Sequence, residues 1–337
     1  MNTYTYTVSM DYSDYTYECV YDYVKIDTLR AIKLESKTID EYIDENKLVR
    51  GNVGVRILRV YGELNLVYLP DIIDGFKVVV LGGYCFADKS RLIKDSDDFE
   101  LTRISGEILE EIYLGENILK IESFAFYNCK NLTSLNMNHK VMAVDGDAFM
   151  NCISLRVLNV EGNVTDRTCI RQVLNQYRQG LMVSFIQNKK IVARFYYPEY
   201  TESYEEIGPA HIFALNVEGE GYRARQQFSN EILQISGYDD TFSRSEALEP
   251  VKILALMAVY RILYPVGLSK SNEEMYKDFV VRNVKEIAFE IVKKTDMEGL
   301  EFLLRKGLLT GNIKAEVLAF TVSRQWSSGA AKIIRGN

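Results

Sequence analysis

The feature that most restricts this chain is a repeat in its first half. The segment IESFAFYNCKNLTSLNM (121–137) recurs as VDGDAFMNCISLRVLNV (144–160), at an offset of 23 residues. That offset pairs Ala125 with Ala148, Phe126 with Phe149, Asn128 with Asn151 and Cys129 with Cys152. It also pairs Leu132 with Leu155, Leu135 with Leu158 and Asn136 with Asn159. Self-similarity at a period of about 20–50 residues marks a stacked repeat. A short stretch such as Leu135-Asn136-Met137 alternates, so as a strand it turns Leu135 and Met137 inward and Asn136 outward. The phenylalanine has the size to fill the space behind the strand. One rung leaves an apolar face at both ends, so several must stack and the ends must be capped.

Two upstream segments extend the series. LEEIYL puts Leu109, Ile112 and Leu114 where Leu132, Leu135 and Met137 stand one period later. LGGYCF (81–86) restates the turn, with Cys85 and Phe86 in the places of Ala125 and Phe126. Phe86 precedes Phe126 by 40 residues, 17 more than the period, so 87–108 holds an insertion or a degenerate rung. The run RILRVYGELNLVYLPDIIDGFKVVVLGGYCF and the two copies of Ala-Phe-x-Asn-Cys-x-x-Leu resemble the BspA-type bacterial leucine-rich repeats. In that family a strand ending in Ile-Pro precedes an Ile…Gly…Val element and an Ile-Gly-x-x-Ala-Phe turn. Leu69-Pro70, Ile73-Asp74-Gly75 and Leu81-Gly82…Phe86 take those places here. The resemblance covers about 53–164 and implies a strand-and-turn solenoid. Few rungs and one insertion set this chain apart, and with no leader or surface anchor expected, the family's association with surface adhesion is expected to transfer poorly.

After Asn163 the repeat stops. Residues 168–179 read as a short amphipathic helix ended by Gly180, 190–197 as a strand, and 211–217 as a second strand behind an acidic linker. From Ser245 the pattern is helical over 248–264, 271–294, 297–306 and 313–323, with Pro265 and Gly267 ending the first helix and Gly307 capping the third. The run TDMEGLEFLLRKGLLTGN is similar to the second helix and turn of an ankyrin repeat, with Leu300, Leu303 and Leu304 as its inner stripe. The ending AAKIIRGN reads as a degraded second copy. The stretch 189–337 is also similar to tails on short cytosolic leucine-rich-repeat proteins of gut-type Gram-positive bacteria, and no activity carries over from them. At the other end, seven of the 23 tyrosines precede Lys25 at near-alternating spacing, which predicts hairpin strands, and 27–47 reads as a helix. This segment is either a cap for the solenoid or an exposed aromatic recognition surface.

The fold class expected is therefore α/β: a short leucine-rich repeat solenoid with a strand plus loop or turn per 23-residue rung, then an α+β segment and a helical, ankyrin-like region. The expected divisions are an N-terminal cap at 1–52, the solenoid at 53–164, the α+β segment at 165–244 and the helical region at 245–337.

Charge and composition narrow the function. Lys and Arg number 40 against 47 Asp and Glu, a net charge of −7, which disfavours nucleic acid as a partner. The start MNTYTYTVSMDYSDYTYE has neither the basic opening nor the apolar core of a signal peptide. No run approaches the roughly 18 apolar residues of a membrane span, since Lys252 and Arg261 interrupt the best candidate. The five cysteines are odd in number and form no C-x-x-C pair, which reads as reduced thiols in the cytoplasm.

The chemical motifs are weak. Gly219-Glu-Gly221-Tyr-Arg-Ala224, with Asp239 and Asp240 beyond it, has part of a dinucleotide fingerprint. However, Glu218 and Glu220 would repel a pyrophosphate and no βαβ pattern surrounds it, so a tight turn is the better reading. The acidic run at 95–100 is half a calcium loop, lacking glycine at position six and carrying Gly106 where a glutamate belongs; it reads as a solvated loop. Cys129 and Cys152 read as buried small hydrophobes, and His139 and His211 have no neighbouring ligand residues. There is no G-x-S-x-G elbow, P-loop or H-E-x-x-H. No catalytic residue, metal or cofactor is expected.

The expected function is a noncatalytic protein–protein interaction scaffold with an unidentified protein partner and no membrane insertion. The alternatives are an enzyme or small-ligand-binding protein with its site in 189–240, and a cell-surface adhesin or glycan binder. Alternation names the partner-facing strand positions: Tyr68, Tyr113, Asn136 and Asn159 in one column, and Leu66, Glu111, Ser134 and Val157 in the next. Tyrosines followed by asparagines make an amphipathic strip suited to recognition, or else a solvated ladder beside tyrosines that shield the sheet.

Overall fold

The computed structural model describes residues 4–12, 15–28, 52–87, 102–208 and 211–336. Most of the helix expected over 27–47, and the acidic run at 95–100, lie outside them. The chain divides into two compact units. The first comprises Met1–Arg178, Phe185–Lys189 and Phe228–Ile232, and the second Gln179–Ser184, Lys190–Gln227 and Leu233–Asn337.

The first unit opens with the tyrosine-rich strands β1 (Tyr4–Tyr12) and β2 (Tyr15–Asp27), an antiparallel pair, and β2 also pairs with β3 (Val53–Tyr61). Tyr21 and Tyr23 are fully buried, so those two rings belong to the core rather than to a recognition surface. The rung strands follow: β4 (Leu66–Tyr68), β5 (Ile72–Ile73), β6 (Phe76–Leu81), β7 (Glu111–Tyr113), β8 (Lys120–Ile121), β9 (Ser134–Asn138), β10 (Ala143–Val144) and β11 (Val157–Glu161). Apart from β5, which pairs β6 antiparallel, they form two parallel ladders. One runs β3-β6-β8-β10, with the β1–β2 hairpin extending it beyond β3, and the other runs β4-β7-β9-β11. Each period advances the chain by one strand spacing, so equivalent residues stack, and this is the solenoid.

The stacking explains the repeated residues. Phe86, Phe126 and Phe149 form one column of nearly parallel rings, with centroids 5.5 and 5.1 Å apart. Leu109, Leu132 and Leu155 form a second buried column, and Ile112, Leu135 and Leu158 a third. Tyr84, Phe124 and Asp147 share a left-handed backbone, as do Asn128 and Asn151. Asparagine tolerates that conformation better than most residues, and the Asn151 amide donates to Asn128 Oδ1 at 2.7 Å. The Cys129 thiol donates to the Phe86 carbonyl (3.2 Å) and the Cys152 thiol to the Phe126 carbonyl (3.1 Å), the same tie one rung apart.

The turns that carry Phe86 and Phe126 are adjacent despite the 17 surplus residues between them in sequence. Phe86 N donates to Ala125 O just as Phe126 N donates to Ala148 O, so the two turns are immediate neighbours. The chain returns through Arg103, which bridges to Tyr61, and Ile104, whose N–H donates to Val60 O. At the far end α1 (Ile170–Leu174) is shorter than the 168–179 expected. Its Gln172 accepts from Val144 N and donates to Met142 O, and Gln176 donates to Asp145 O. These amides satisfy backbone groups along the edge of β10 that a further rung would otherwise occupy.

All five cysteines are buried free thiols, and burial pushes those of Cys85 and Cys169 up to about 12. At pH 8 Cys85 and Cys169 should therefore react with a thiol reagent at least about 100-fold more slowly in the native protein than in the urea-unfolded chain. Labelling of native protein at the unfolded rate would place these thiols at the surface.

Beyond α1 come β12 (Leu181–Gln187), whose residues are shared between the units, β13 (Lys190–Tyr197) and the antiparallel pair β14 (Thr201–Ile207) and β15 (Ile212–Glu218). Then follow α2 (Gly221–Arg225), β16 (Phe228–Ser229), β17 (Ile232–Leu233) and seven helices. These are α3 (Ile235–Leu248), α4 (Val251–Leu263), α5 (Lys270–Arg282), α6 (Val284–Lys293), α7 (Met297–Arg305), α8 (Gly311–Ser323) and α9 (Ser327–Arg335). The apolar helix α4 is the centre of the second unit. Every residue from Leu254 to Arg261 is buried, and the helix packs on β13, α5 and α6. An all-round apolar helix of this length belongs in a core. Among the described residues no helix is long and apolar enough to cross a membrane.

Two helical expectations change. The helix expected over 271–294 breaks at Asn283, whose φ of −119° is not helical, giving α5 and α6. Helix α3 was not anticipated, because it buries only Tyr238, Asp239, Phe242 and Ser245 and lacks a strong apolar stripe. The pairs α6–α7 and α8–α9 repeat each other. Thr295 and Gln325 are both left-handed, Gly299 and Gly329 are both buried, and Leu303 and Ile333 fill equivalent core positions.

Candidate functional site

The outward positions of the strands β4, β7, β9 and β11 are set by alternation. Val67, Ile112, Leu135 and Leu158 point inward and are buried, which turns their neighbours to the other face. The ladder brings Tyr68, Tyr113, Asn136 and Asn159 into one row, and Leu66, Glu111, Ser134 and Val157 into the next. All eight strand positions named from the sequence thus lie on one face. The Tyr68 and Tyr113 rings stack at 4.5 Å with planes 18° apart, the separation that parallel strand spacing imposes.

The asparagines are not a solvated ladder. Asn159 Nδ2 donates to Asn136 Oδ1 at 2.8 Å, and the Asn136 amide lies 3.0 Å from Glu111 Oε1 and 3.2 Å from Ile112 O. Asn136 is only 9% exposed, whereas Tyr68 is 39% exposed. Burial, reinforced by the Glu111 carboxylate, pushes the Tyr113 phenol up to about 12. Contact area on this strip therefore comes from the tyrosine pair, and the carboxylate and amides behind it are already hydrogen-bonded. No nucleophile stands beside a base here.

The remaining motifs have structural explanations. Gly219 is left-handed, and at Gly221 a Cβ would sit 2.2 Å from the Pro198 carbonyl, so the turn requires its glycine. Glu220 is ion-paired with Arg223 (2.9 Å) and Arg244 (3.4 Å). An open cleft of about 610 Å³ lies beside this turn, lined in part by Val217, Tyr222, Arg223, Asp240 and Arg244. Asp239 is fully buried; Arg261 grips both its oxygens at 2.7 and 2.8 Å, and the Tyr276 hydroxyl donates to it at 2.9 Å. It is a core counter-ion and is not available to a ribose. His139 Nδ1 lies 3.0 Å from the Glu161 carbonyl, and His211 contacts Glu206. Among the described residues no three His, Cys, Asp or Glu side chains gather as a metal site.

One surface escaped the sequence reading. Tyr204, Phe213 and Leu215 on the β14–β15 pair are largely exposed. Phe213 and Leu215 lie on the strand expected over 211–217, whereas Tyr204 falls in the acidic segment that reads as a linker, so their shared face emerges only from the pairing of β14 with β15.

Residues 102–169, about one fifth of the chain, match the family described as BspA type Leucine rich repeat region (6 copies). The match spans β7 to β11 and includes Glu111, Tyr113, Ser134, Asn136 and Asn159, with Tyr68 and the helical region outside it. No curated protein and no solved structure matches the chain.

Proposed function

We propose that this chain is a noncatalytic protein–protein interaction scaffold of the cytoplasm that uses the outward strip of its leucine-rich repeat solenoid to hold a protein partner. The observation that carries this reading is the stacked Tyr68–Tyr113 pair, held in register beside the hydrogen-bonded cluster of Glu111, Ser134, Asn136 and Asn159. Stacked rings on a rigid ladder lose little freedom on binding, and tyrosine is among the residues that dominate interface energetics. Buried free thiols suit a reducing compartment. Nucleic acid is a poor partner for a chain of net charge −7. The tail helices α7 to α9, read as ankyrin-like, serve in this account as a second packed support rather than as a catalytic domain.

The test is to capture a partner with the intact chain and repeat the capture with Tyr68→Ala/Tyr113→Ala, after a thermal melt has verified folding. Affinity should fall at least about tenfold, since each ring is expected to contribute on the order of 1–2 kcal/mol. Undiminished capture by the folded double variant would remove this face as the binding surface. A second reading, small-ligand binding in the 189–240 region, is favoured by the cleft beside Gly219. It is distinguished by asking whether Asp240→Ala or the tyrosine pair abolishes the captured interaction.

A further inference from the structure

The hairpin formed by β14 and β15 has an uncovered apolar face bordered by carboxylates. Its register places Tyr204 opposite Leu215, Glu206 opposite Phe213 and Glu202 opposite Val217, so these six side chains share one face. Tyr204 is 68% exposed, Phe213 61% and Leu215 49%. A two-stranded ribbon is marginally stable by itself in water, and a contiguous apolar patch on a soluble surface marks a contact site. This pair forms a sheet of two strands, so among the described residues each strand keeps one edge without a ladder partner.

Charge decides what kind of partner fits. Between Glu199 and Glu220 the chain places six glutamates and no Lys or Arg. Three of them, Glu202, Glu205 and Glu206, lie on β14 and Glu218 ends β15. His211, at the turn, contacts Glu206. A field of one sign across an apolar stripe favours a ligand of the opposite sign and repels its like. A second copy of this face would bring the same carboxylates against these, and a nucleic acid would bring phosphates, so both are disfavoured.

We propose that this hairpin docks an extended segment of another protein in which apolar residues alternate with Lys or Arg. The apolar residues extend the face of Tyr204, Phe213 and Leu215, the cations fall on the opposite face with Glu205 and Glu218, and an open strand edge supplies backbone hydrogen bonds to the added strand. The inference does not depend on the solenoid strip.

The test uses the full chain and two short labelled peptides, one alternating lysine with valine and one alternating glutamate with valine, read by fluorescence anisotropy. The lysine peptide should bind and the glutamate peptide should not. Glu205→Lys/Glu218→Lys and, separately, Tyr204→Ser/Phe213→Ser should each weaken binding by about tenfold or more. The charge-matched control Glu63→Lys/Glu274→Lys, at exposed positions elsewhere, should change it less than about twofold. Hydrogen exchange on the unmodified chain supplies a readout independent of the variants, with peptide-induced protection expected within 201–218. Failure of the lysine peptide to bind, equal binding of the glutamate peptide, equal loss in the control variant, or protection confined to other segments would each overturn the proposal.

Discussion

Phe126→Ala should lower the stability of the solenoid by about 3–5 kcal/mol, toward the upper end of that range. Phe126 is fully buried and is the middle ring of a three-ring column, with Phe86 at 5.5 Å on one side and Phe149 at 5.1 Å on the other. Removing it strips a packing face from both neighbours at once. The cavity has little means of closing, because the neighbouring turns are held apart by Phe86 N to Ala125 O and Phe126 N to Ala148 O, bonds the substitution leaves in place. A site that cannot collapse incurs the full cavity cost in addition to the lost transfer energy. Phe149→Ala, with one stacked neighbour rather than two, should cost less. A chain of two units need not unfold in one step, so the effect is best read as hydrogen-exchange protection of residues 102–169 alongside a urea melt. A Phe126→Ala protein with unchanged protection and an unchanged melt would contradict the ring column.

Asp239→Ala should destabilise the second unit by about 3–5 kcal/mol, and replacing both partners should restore most of that loss. Arg261 and Asp239 are both fully buried, and the guanidinium meets the carboxylate through two bonds of 2.7 and 2.8 Å. Arg261 also donates to the Tyr264 and Val266 carbonyls and lies over the Phe195 ring at 5.0 Å. Truncating the aspartate would leave a positive charge away from water and deprive the Tyr276 hydroxyl of its acceptor. Asp239→Leu/Arg261→Met removes both charges and retains apolar volume, and buried ion pairs replaced in this way are often neutral. The comparison of single and double variants by thermal and urea melts checks the claim. A single variant as stable as the parent would show that the pair is not the core anchor described.

The register of the solenoid was legible in the residues for a definite reason. In a parallel, in-register stack the period along the chain is also the translation between neighbours in space. Matching Phe126 to Phe149 and Asn136 to Asn159 at an offset of 23 therefore names actual contacts. Alternation within each strand assigns Tyr68 and Tyr113 to the outer face from the sequence alone. The tail was partly legible for the same reason, since Leu300 and Leu303 sit on a helical stripe and are buried.

What the chain alone did not settle concerns pairings with no fixed spacing. The bond between Arg261 and Asp239 joins residues 22 apart on different helices, and neither helix carries a pattern that points to the other. The break at Asn283 is invisible to a periodicity that continues on both sides of it. Near-burial of Asn136 follows from the side chains around it, because Glu111, Ser134 and Asn159 surround its amide only when three rungs are stacked. The exposed face of Tyr204, Phe213 and Leu215 likewise exists only once β14 and β15 have paired in a particular register. Periodic order was determined by sequence because it is local and translated; charge pairing, helix breaks and surface exposure were decided by tertiary structure because they depend on which distant segments come to lie together.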